Sequence, residues 1–422
     1  MTFKIFSLGC KVNSYECASL KALFLDAGYS ESSNEDCDIA LINTCSVTAT
    51  ADQKSRQHIR KLKNEYPHAI IIVMGCYSQG HHEFVKDDIK ADIVVGTSNR
   101  SQIPELIKQF KQDHKPIDLT EANPRKFDYE ELSLTSYAEN VRAYLKIQDG
   151  CDNFCSYCLI PLVRGKMRSR NKDNIIQEAK ELLTKGYKEI VLTGIHVGGY
   201  GRDLSDYTFS NLVDELTLLK GLERLTISSI EESEIDDKLI TLIKERTNIA
   251  RHLHIPLQSG SEEVLKRMHR KYDKKAFLDK IKRIKLAVPD IAITTDVIVG
   301  FPGETDEEFI ETSNFIKEVG FSMLHVFPFS PREGTLASKM PNQIPPLVKK
   351  ERTKSLIELS NLLWEEYKNC FNGKTLHVLI ENYDEKNKVI RGHSENYIEV
   401  SLSGTKDQIN TIIEVKYHNN QM

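Results

Sequence analysis

The chain has no hydrophobic run long enough to cross a bilayer. Its longest apolar stretch runs from Ala69 to Met74, against about 20 residues for a membrane-spanning helix, so no membrane role is expected. It also lacks an excess of positive charge. With a formal net charge of -4, any contact with nucleic acid must come from local patches. No second Cys-x-x-Cys pair and no histidine at finger spacing accompanies the close group Cys151, Cys155 and Cys158, so structural zinc fits poorly. A disulfide framework fits poorly as well, because nine cysteines is an odd number and a chain of 422 residues without a signal segment is not a small secreted scaffold. Reduced thiols and a cytoplasmic location are therefore expected. The run Gly300-Phe301-Pro302-Gly303-Glu304-Thr305 lacks the glycine spacing and lysine of a phosphate loop. It reads as a strand-to-helix turn, with Thr305 and the acids Asp306 to Glu308 suited to a helix amino terminus.

What is present in bulk is ordinary: 40% hydrophobic and 28% charged residues describe a soluble protein, and the length implies two or three domains. From Phe3 to about Lys111, short apolar strands alternate with helical stretches, the pattern of parallel βαβ units. The strands expected are Lys4 to Leu8, Ile39 to Asn43, Ile70 to Met74 and Ile93 to Val95. In a parallel sheet all the carboxyl ends share one edge, where ligands bind. The first three strands run into Gly9-Cys10, Thr44-Cys45 and Gly75-Cys76, so three thiols from distant sequence should gather there. One buried cysteine would be only a small hydrophobe; three in register suggest a site. Cys17, Cys37 and Cys370 fall elsewhere and read as structural.

Residues 112–137, with Pro116, Pro124 and no sustained period, read as a linker. A second series of strands follows, at Ala143 to Gln148, Glu189 to Thr193, Arg224 to Ser228, His252 to Pro256, Ile291 to Val299 and Met323 to Phe327. Six βα units predict a partial barrel, whose chemistry lies at the strands' carboxyl ends. The triad Cys151, Cys155 and Cys158 follows the first of these strands. Thr193, Gly194, His196, Ser229, Gln258 and Asp296 lie on or near that edge, though each taken singly is more often a turn or cap residue. From about Cys370 the chain alternates like half-buried strands, at Leu376 to Glu381, Lys388 to Arg391 and Tyr397 to Leu402, and a small β-barrel is expected. Six Lys and Arg against seven Asp and Glu in this segment give it no electrostatic signal for RNA. Basic residues gather instead at Arg164, Lys166, Arg168, Arg170 and Lys172, directly after the triad, where a polyanion's phosphates could be neutralised. A second run, from Lys266 to Lys275, is as well explained by a solvated helix face.

Three thiolates at this spacing can hold three corners of an iron-sulfur cube and leave the fourth iron open to a small molecule. The spacing Cys-x-x-x-Cys-x-x-Cys, with Tyr157 before the last cysteine, resembles the signature of the radical S-adenosylmethionine (SAM) enzymes. The resemblance implies that SAM binds the open iron and is cleaved reductively to a 5′-deoxyadenosyl radical. With both cysteine sets in place, nearly the whole chain is similar to the methylthiotransferases of that superfamily. The motifs are Ser7-Leu8-Gly9-Cys10-Lys11-Val12-Asn13, Ile42-Asn43-Thr44-Cys45, Gly75-Cys76, the central triad, Leu257-Gln258-Ser259-Gly260-Ser261 and Val299 to Thr305.

This resemblance implies an α/β fold of four segments: an amino-terminal α/β domain (1–111), the linker (112–137), a TIM-like partial (βα)6 barrel (138–369) and a TRAM-like β-barrel (370–422). It implies two [4Fe-4S] clusters, one on Cys151, Cys155 and Cys158 and an auxiliary one on Cys10, Cys45 and Cys76. SAM contacts would come from Thr193, Gly194, His196, Ser229, Gln258 and Asp296. Arg164, Lys166, Arg168, Arg170 and Lys172 would contact tRNA at the anticodon stem-loop. An electron donor is implied but not named. Lys11-Val12-Asn13 and Met268-His269-Arg270-Lys271-Tyr272 look most like the members that insert a methylthio group at carbon 2 of N6-threonylcarbamoyladenosine. Other members take isopentenyladenosine or a ribosomal protein aspartate, and a non-catalytic iron-sulfur RNA sensor is the alternative of another class. One segment departs from the family pattern: Ser229-Ile230-Glu231-Glu232-Ser233 lacks the expected Pro after Glu.

Overall fold

The computed structural model describes residues 1–132 and 141–419. The carboxyl end of the linker 112–137, the start of the barrel segment at 138 and the last three residues of 370–422 lie outside the described residues. The first sheet is parallel, with β1 (Thr2–Ser7), β2 (Ile39–Thr44), β3 (Ile70–Gly75), β4 (Ile93–Val95) and β5 (Ile117–Leu119) side by side. A two-residue strand, Ser30–Glu31, flanks β1. The middle strands β2 and β3 are apolar and buried along their length, as expected for strands covered by helices on both faces. β5 corrects the reading of 112–137 as a linker, since Ile117, Asp118 and Leu119 pair in register with β4. Three residues around a proline carry too little periodicity to announce a strand, and here the neighbouring edge of β4 supplies the order.

The second unit contains six parallel strands in chain order: β6 (Arg142–Lys146), β7 (Glu189–Thr193), β8 (Arg224–Ile227), β9 (His252–His254), β10 (Ala292–Val299) and β11 (Met323–Pro328). β6, β7 and β8 form one sheet and β9, β10 and β11 another. A single parallel bridge, Leu225 to Ile249, joins the halves into a partial barrel. Its largest apolar cluster surrounds the strands and includes Leu145, Ile190, Leu225, Leu253, Ile293 and Phe277. The segment Gly300 to Thr305 is the expected strand-to-helix turn. Thr305 caps the helix Asp306–Val319 by accepting from the Glu308 amide at 3.2 Å, while Glu308 reaches back to the Thr305 amide at 2.9 Å, which satisfies two otherwise orphaned donors.

The carboxyl-terminal segment is a curled four-stranded antiparallel sheet, β12 (Thr375–Asp384), β13 (Val389–Ser394), β14 (Glu399–Ser403) and β15 (Ile412–Lys416), in the order β14-β13-β12-β15. Alternation in the sequence predicts the first three strands and does not announce β15. This sheet is fastened to the barrel at the start of β8, where Arg224 donates to the His393 and His377 carbonyls at 2.9 and 2.7 Å.

A buried charge cluster joins the first unit to the second. Glu16, fully buried on the helix Lys11–Asp26, pairs with Arg100, with Lys146 at 3.0 Å and with Arg164 at 2.6 Å. Asp149 completes the cluster, 2.6 Å from Lys146 and 3.2 Å from Arg164. Burial opposes the Glu16 charge, but the three cations overcome it and hold the carboxyl well below its usual range. Removing Glu16 leaves Arg100, Lys146 and Arg164 buried with Glu130 and Asp149 alone to balance them. Glu16→Gln is therefore expected to lower the unfolding free energy by about 3–5 kcal/mol, read from urea unfolding followed by circular dichroism. A variant within about 0.5 kcal/mol of the parent would show that the cluster is not required.

Candidate functional site

Parallel register builds the first cysteine edge. Ser7 pairs with Asn43 and Thr44 with Gly75, so the three strands end level and their following residues Cys10, Cys45 and Cys76 emerge together. Gly9, at a φ of +105°, makes the turn, and a Cβ there would stand 2.8 Å from the Cys45 Sγ, so the Cys10 and Cys45 loops touch. Asn13 clamps them: its amide donates to the Leu8 carbonyl at 2.6 Å and the Thr44 carbonyl at 3.1 Å, and its oxygen accepts from the Cys10 thiol at 3.5 Å. Thr44 carries the clamp to the third strand by donating to the Met74 carbonyl at 2.5 Å. Cys10 is exposed while Cys45 and Cys76 are buried. Burial pushes the Cys76 thiol up to about 11 and raises that of Cys45, with the nearby Arg164 charge pulling both back.

The second triad sits on the loop after the first barrel strand. Gly150, at a φ of +71°, turns the chain out of β6, and the Cys151 amide donates back to the Gly165 carbonyl at 3.2 Å to close the loop. Arg270 donates to the Cys155 Sγ at 3.5 Å and pairs with Glu231. His196 places Nδ1 3.8 Å from the Cys151 Sγ and Nε2 2.6 Å from Glu234. Burial disfavours charge on this imidazole, but Cys151 and the Glu234 carboxylate together raise its pKa to about 10. Burial pushes the Cys158 thiol up to about 12.

The two edges face each other. One cleft of about 220 Å³ is lined by Cys76 and Ser46 from the first unit and by Cys158, Gln258, Asp296 and Arg332 from the second. Tyr157, Ile298, Phe327 and Phe329 supply an apolar wall. Arg332 ties the edges together by donating to the Ser46 carbonyl at 2.8 Å and pairing with Asp52 at 2.7 Å. Arg164 spans the gap itself, since it follows the triad loop in sequence and donates through Nε to the Cys76 Sγ at 3.2 Å.

Each triad offers only sulfur donors on backbone turns, with a guanidinium beside one thiol to offset thiolate charge, and this donor set fits an iron-sulfur cube. Among the described residues no three His, Cys, Asp or Glu side chains converge closely enough for a single metal ion. A cube gives each thiolate its own iron, so its ligands need not meet at one point.

The remaining candidate residues divide. His196 stands at the triad, and Gln258 and Asp296 line the cleft, Gln258 at a left-handed φ of +64°. Ser229 lines a separate cavity, Thr193 is buried, and Gly194 packs against Gln148. The basic patch needs correction: Arg164, Arg168 and Arg170 are buried and bound to Glu16, Asp149, Glu131 and Glu178. Their side chains turn into the protein, so they are internal counter-ions and not phosphate ligands. Lys166 is partly exposed and Lys172 exposed. The second basic run is also spent on partners, with Arg267 on Glu308 and Arg270 on Glu231. Asn13 and Arg270 lie within the quoted motifs, but nothing in the sequence distinguishes their roles. Glu234 and Arg332 carry no sequence signal, being single charges whose partners come from other segments.

Comparison with known proteins agrees with this geometry. The Radical SAM superfamily matches residues 145–316, and the uncharacterized protein family UPF0004 matches 2–96. The chain is 46% identical over 420 residues to the threonylcarbamoyladenosine tRNA methylthiotransferase MtaB of Bacillus subtilis, covering 98% of this chain and 93% of the relative. It is 36% identical to the tRNA-2-methylthio-N(6)-dimethylallyladenosine synthase of the same organism, covering 98% and 83%. Among solved structures, the radical SAM methyltransferase TsrM from Kitasatospora setae shares the fold, with a TM-score of 0.63, 12% identity and coverage of 80% of this chain and 77% of that one. The fold and the facing thiol edges are those of a radical SAM enzyme, and the chain belongs to the radical SAM tRNA methylthiotransferases. Its cofactors are SAM and [4Fe-4S] clusters. No helix among the described residues is long and apolar enough to cross a membrane.

If each triad holds a cluster, Cys45→Ala reconstituted anaerobically should retain roughly half the iron of the parent, since each cube is one of two. Iron retained in full would remove the auxiliary triad from consideration.

Proposed function

We propose that the enzyme inserts a methylthio group at carbon 2 of N6-threonylcarbamoyladenosine beside the tRNA anticodon. The observation that carries this reading is the single cleft shared by Cys76 and Cys158, which brings thiols from two sequence-distant edges to one reacting volume. The likeness to MtaB supports the choice of adenosine derivative. The segments 1–111, 138–369 and 370–422 act in this reading as sulfur-donor, radical and RNA-facing units, the last TRAM-like.

Cys151, Cys155 and Cys158 hold the cluster that works with SAM, and Cys10, Cys45 and Cys76 hold the auxiliary one. When bound, these groups supply reductive cleavage of SAM on one side and an iron-bound sulfur on the other. The chain's own residues do the rest. Gln258 and Asp296 offer an amide and a carboxylate to polar parts of SAM, and Gly194 gives the second barrel strand room to pack against Gln148. The apolar wall of Tyr157, Phe327 and Phe329 screens the cleft from bulk solvent and its solutes, which limits side reactions of a reactive intermediate before the sulfur arrives. Arg332 and Arg164 keep the facing edges at a fixed separation, as proximity catalysis demands. Lys166, in a surface pair with Asp128 at 3.6 Å, and Lys172 are the members of the patch whose side chains reach the surface and can meet tRNA phosphates.

Separate assays of 5′-deoxyadenosine and of modified nucleoside distinguish the triads. Cys155→Ala should abolish both products, whereas Cys45→Ala should keep 5′-deoxyadenosine formation and yield no methylthiolated nucleoside; methylthiolation by the Cys45 variant would refute the division. For the patch, Lys166→Ala with Lys172→Ala should reduce the salt slope of tRNA binding by about two, one for each phosphate that the lysines no longer neutralise. An unchanged slope would take the RNA interface elsewhere.

A further inference from the structure

A second cavity, of about 430 Å³, lies in the barrel lumen and is roofed by the carboxyl-terminal sheet through His393, Glu395 and Tyr397. Its volume falls within the range of about 300–1,000 Å³ usual for small-ligand sites. It adjoins the cleft between the two thiol edges, because Asp296 lines both. A group attached to an adenine in the cleft can therefore extend into the lumen.

The lumen is rich in charge, and nearly all of that charge is spent. Arg142 pairs with Glu381 and lies 3.5 Å from Glu189, and Arg224 is held by Glu189 at 3.6 Å and by two carbonyls. The acids are engaged too: Asp296 pairs with His254 at 3.2 Å and Glu395 accepts from the His377 amide at 2.8 Å. Among the described residues lining the cavity, Lys11 is the cation without an ion-pair or hydrogen-bond partner. Its side chain is accessible within the lumen and it follows Cys10 directly, although the enclosing walls and the nearby Arg142 guanidinium lower its pKa. Two neutral groups add to it, since the His252 Nδ1 and the Ser228 Oγ are buried and unpartnered.

We propose that Lys11 binds the carboxylate of an amino-acid substituent on N6 of the target adenine, with His252 and Ser228 meeting its neutral polar groups, so that the lumen selects an acidic N6 substituent over an apolar one. This rests on the reading that the substrate is N6-threonylcarbamoyladenosine. The chemistry matches group by group: a carboxylate for the free ammonium, and a urea and hydroxyl for an imidazole nitrogen and a serine oxygen. An isopentenyl group would leave all three unpaired and desolvated, which is the strongest form of discrimination a site can exert.

The test uses the anaerobically reconstituted full chain and anticodon stem-loops bearing N6-threonylcarbamoyladenosine, its neutral methyl ester, or N6-isopentenyladenosine. Binding is read by fluorescence anisotropy and product by mass spectrometry. The parent should bind the acid about tenfold or more tighter than the ester, the usual strength of a charge-assisted hydrogen bond. Lys11→Gln should bind acid and ester equally, at the parent's affinity for the ester, and Lys11→Arg should keep most of the preference. A Lys11→Gln protein that still prefers the acid, while the parent methylthiolates the threonylcarbamoyl stem-loop, overturns the assignment alone. A parent that modifies only the isopentenyl stem-loop overturns the substrate reading and the assignment with it.

Discussion

The position of Arg164 is the constraint on which the site depends. Its guanidinium is fully buried, and one face bonds Glu16 and Asp149 while Nε reaches the Cys76 thiol. A charge with no access to water must have partners, because desolvation of an ion costs several kcal/mol. Here the partners come from a helix of the first unit, a strand end of the second and a ligand-type cysteine. Four cations, Arg100, Lys146, Arg164 and Arg168, meet three carboxylates, Glu16, Glu130 and Asp149. One positive charge is left in excess, and it faces Cys76. The cluster that locks the two units together thus also offsets part of the burial that disfavours a thiolate at Cys76.

Much of the architecture can be read from periodicity. β4 and β7 fall where their apolar runs place them, and the other parallel strands differ by one or two residues at their ends, because strand ends depend on register with neighbours and not on local composition. β5 and β15 are silent in the sequence for different reasons. Ile117–Leu119 is too short to show a period, and Ile412–Lys416 is ordered by pairing with β12, nearly forty residues earlier in the chain.

The thiols are legible because parallel topology converts three sequence positions into one edge. The basic patch is misleading because a run of cations in sequence says nothing about which way each side chain turns. Arg164 ends a short helix, Gly165 turns the chain at a φ of +77°, and Arg168 and Ser169 lie on a two-residue strand, so no single period orients the run. Each arginine turns inward to a carboxylate, while Lys166 and Lys172 at the same spacing stay at the surface. Their counter-ions, Glu16 and Glu178, lie on two different helices, and nothing local in either helix marks them as partners.

The same logic sets the lumen apart from the charge cluster. In the cluster every cation is buried against a carboxylate, so its charge is spent within the protein, on docking and on the Cys76 thiol. In the lumen Arg142 and Arg224 follow that rule, sharing Glu189 between them. Lys11 does not follow it, although it is carried on the same helix as Glu16, one turn and a half away. A helix that starts at a ligand-type cysteine, buries one charge to hold two units together and extends another, unpaired, into a cavity beside the reacting cleft performs two separable tasks. Docking needs Glu16 and is indifferent to Lys11, whereas an anionic ligand in the lumen would need Lys11 and leave Glu16 untouched. The division follows from pairing: an ion matched to a carboxylate deep in the fold has no charge left to offer, and an unpaired one facing a cavity still has charge for a ligand.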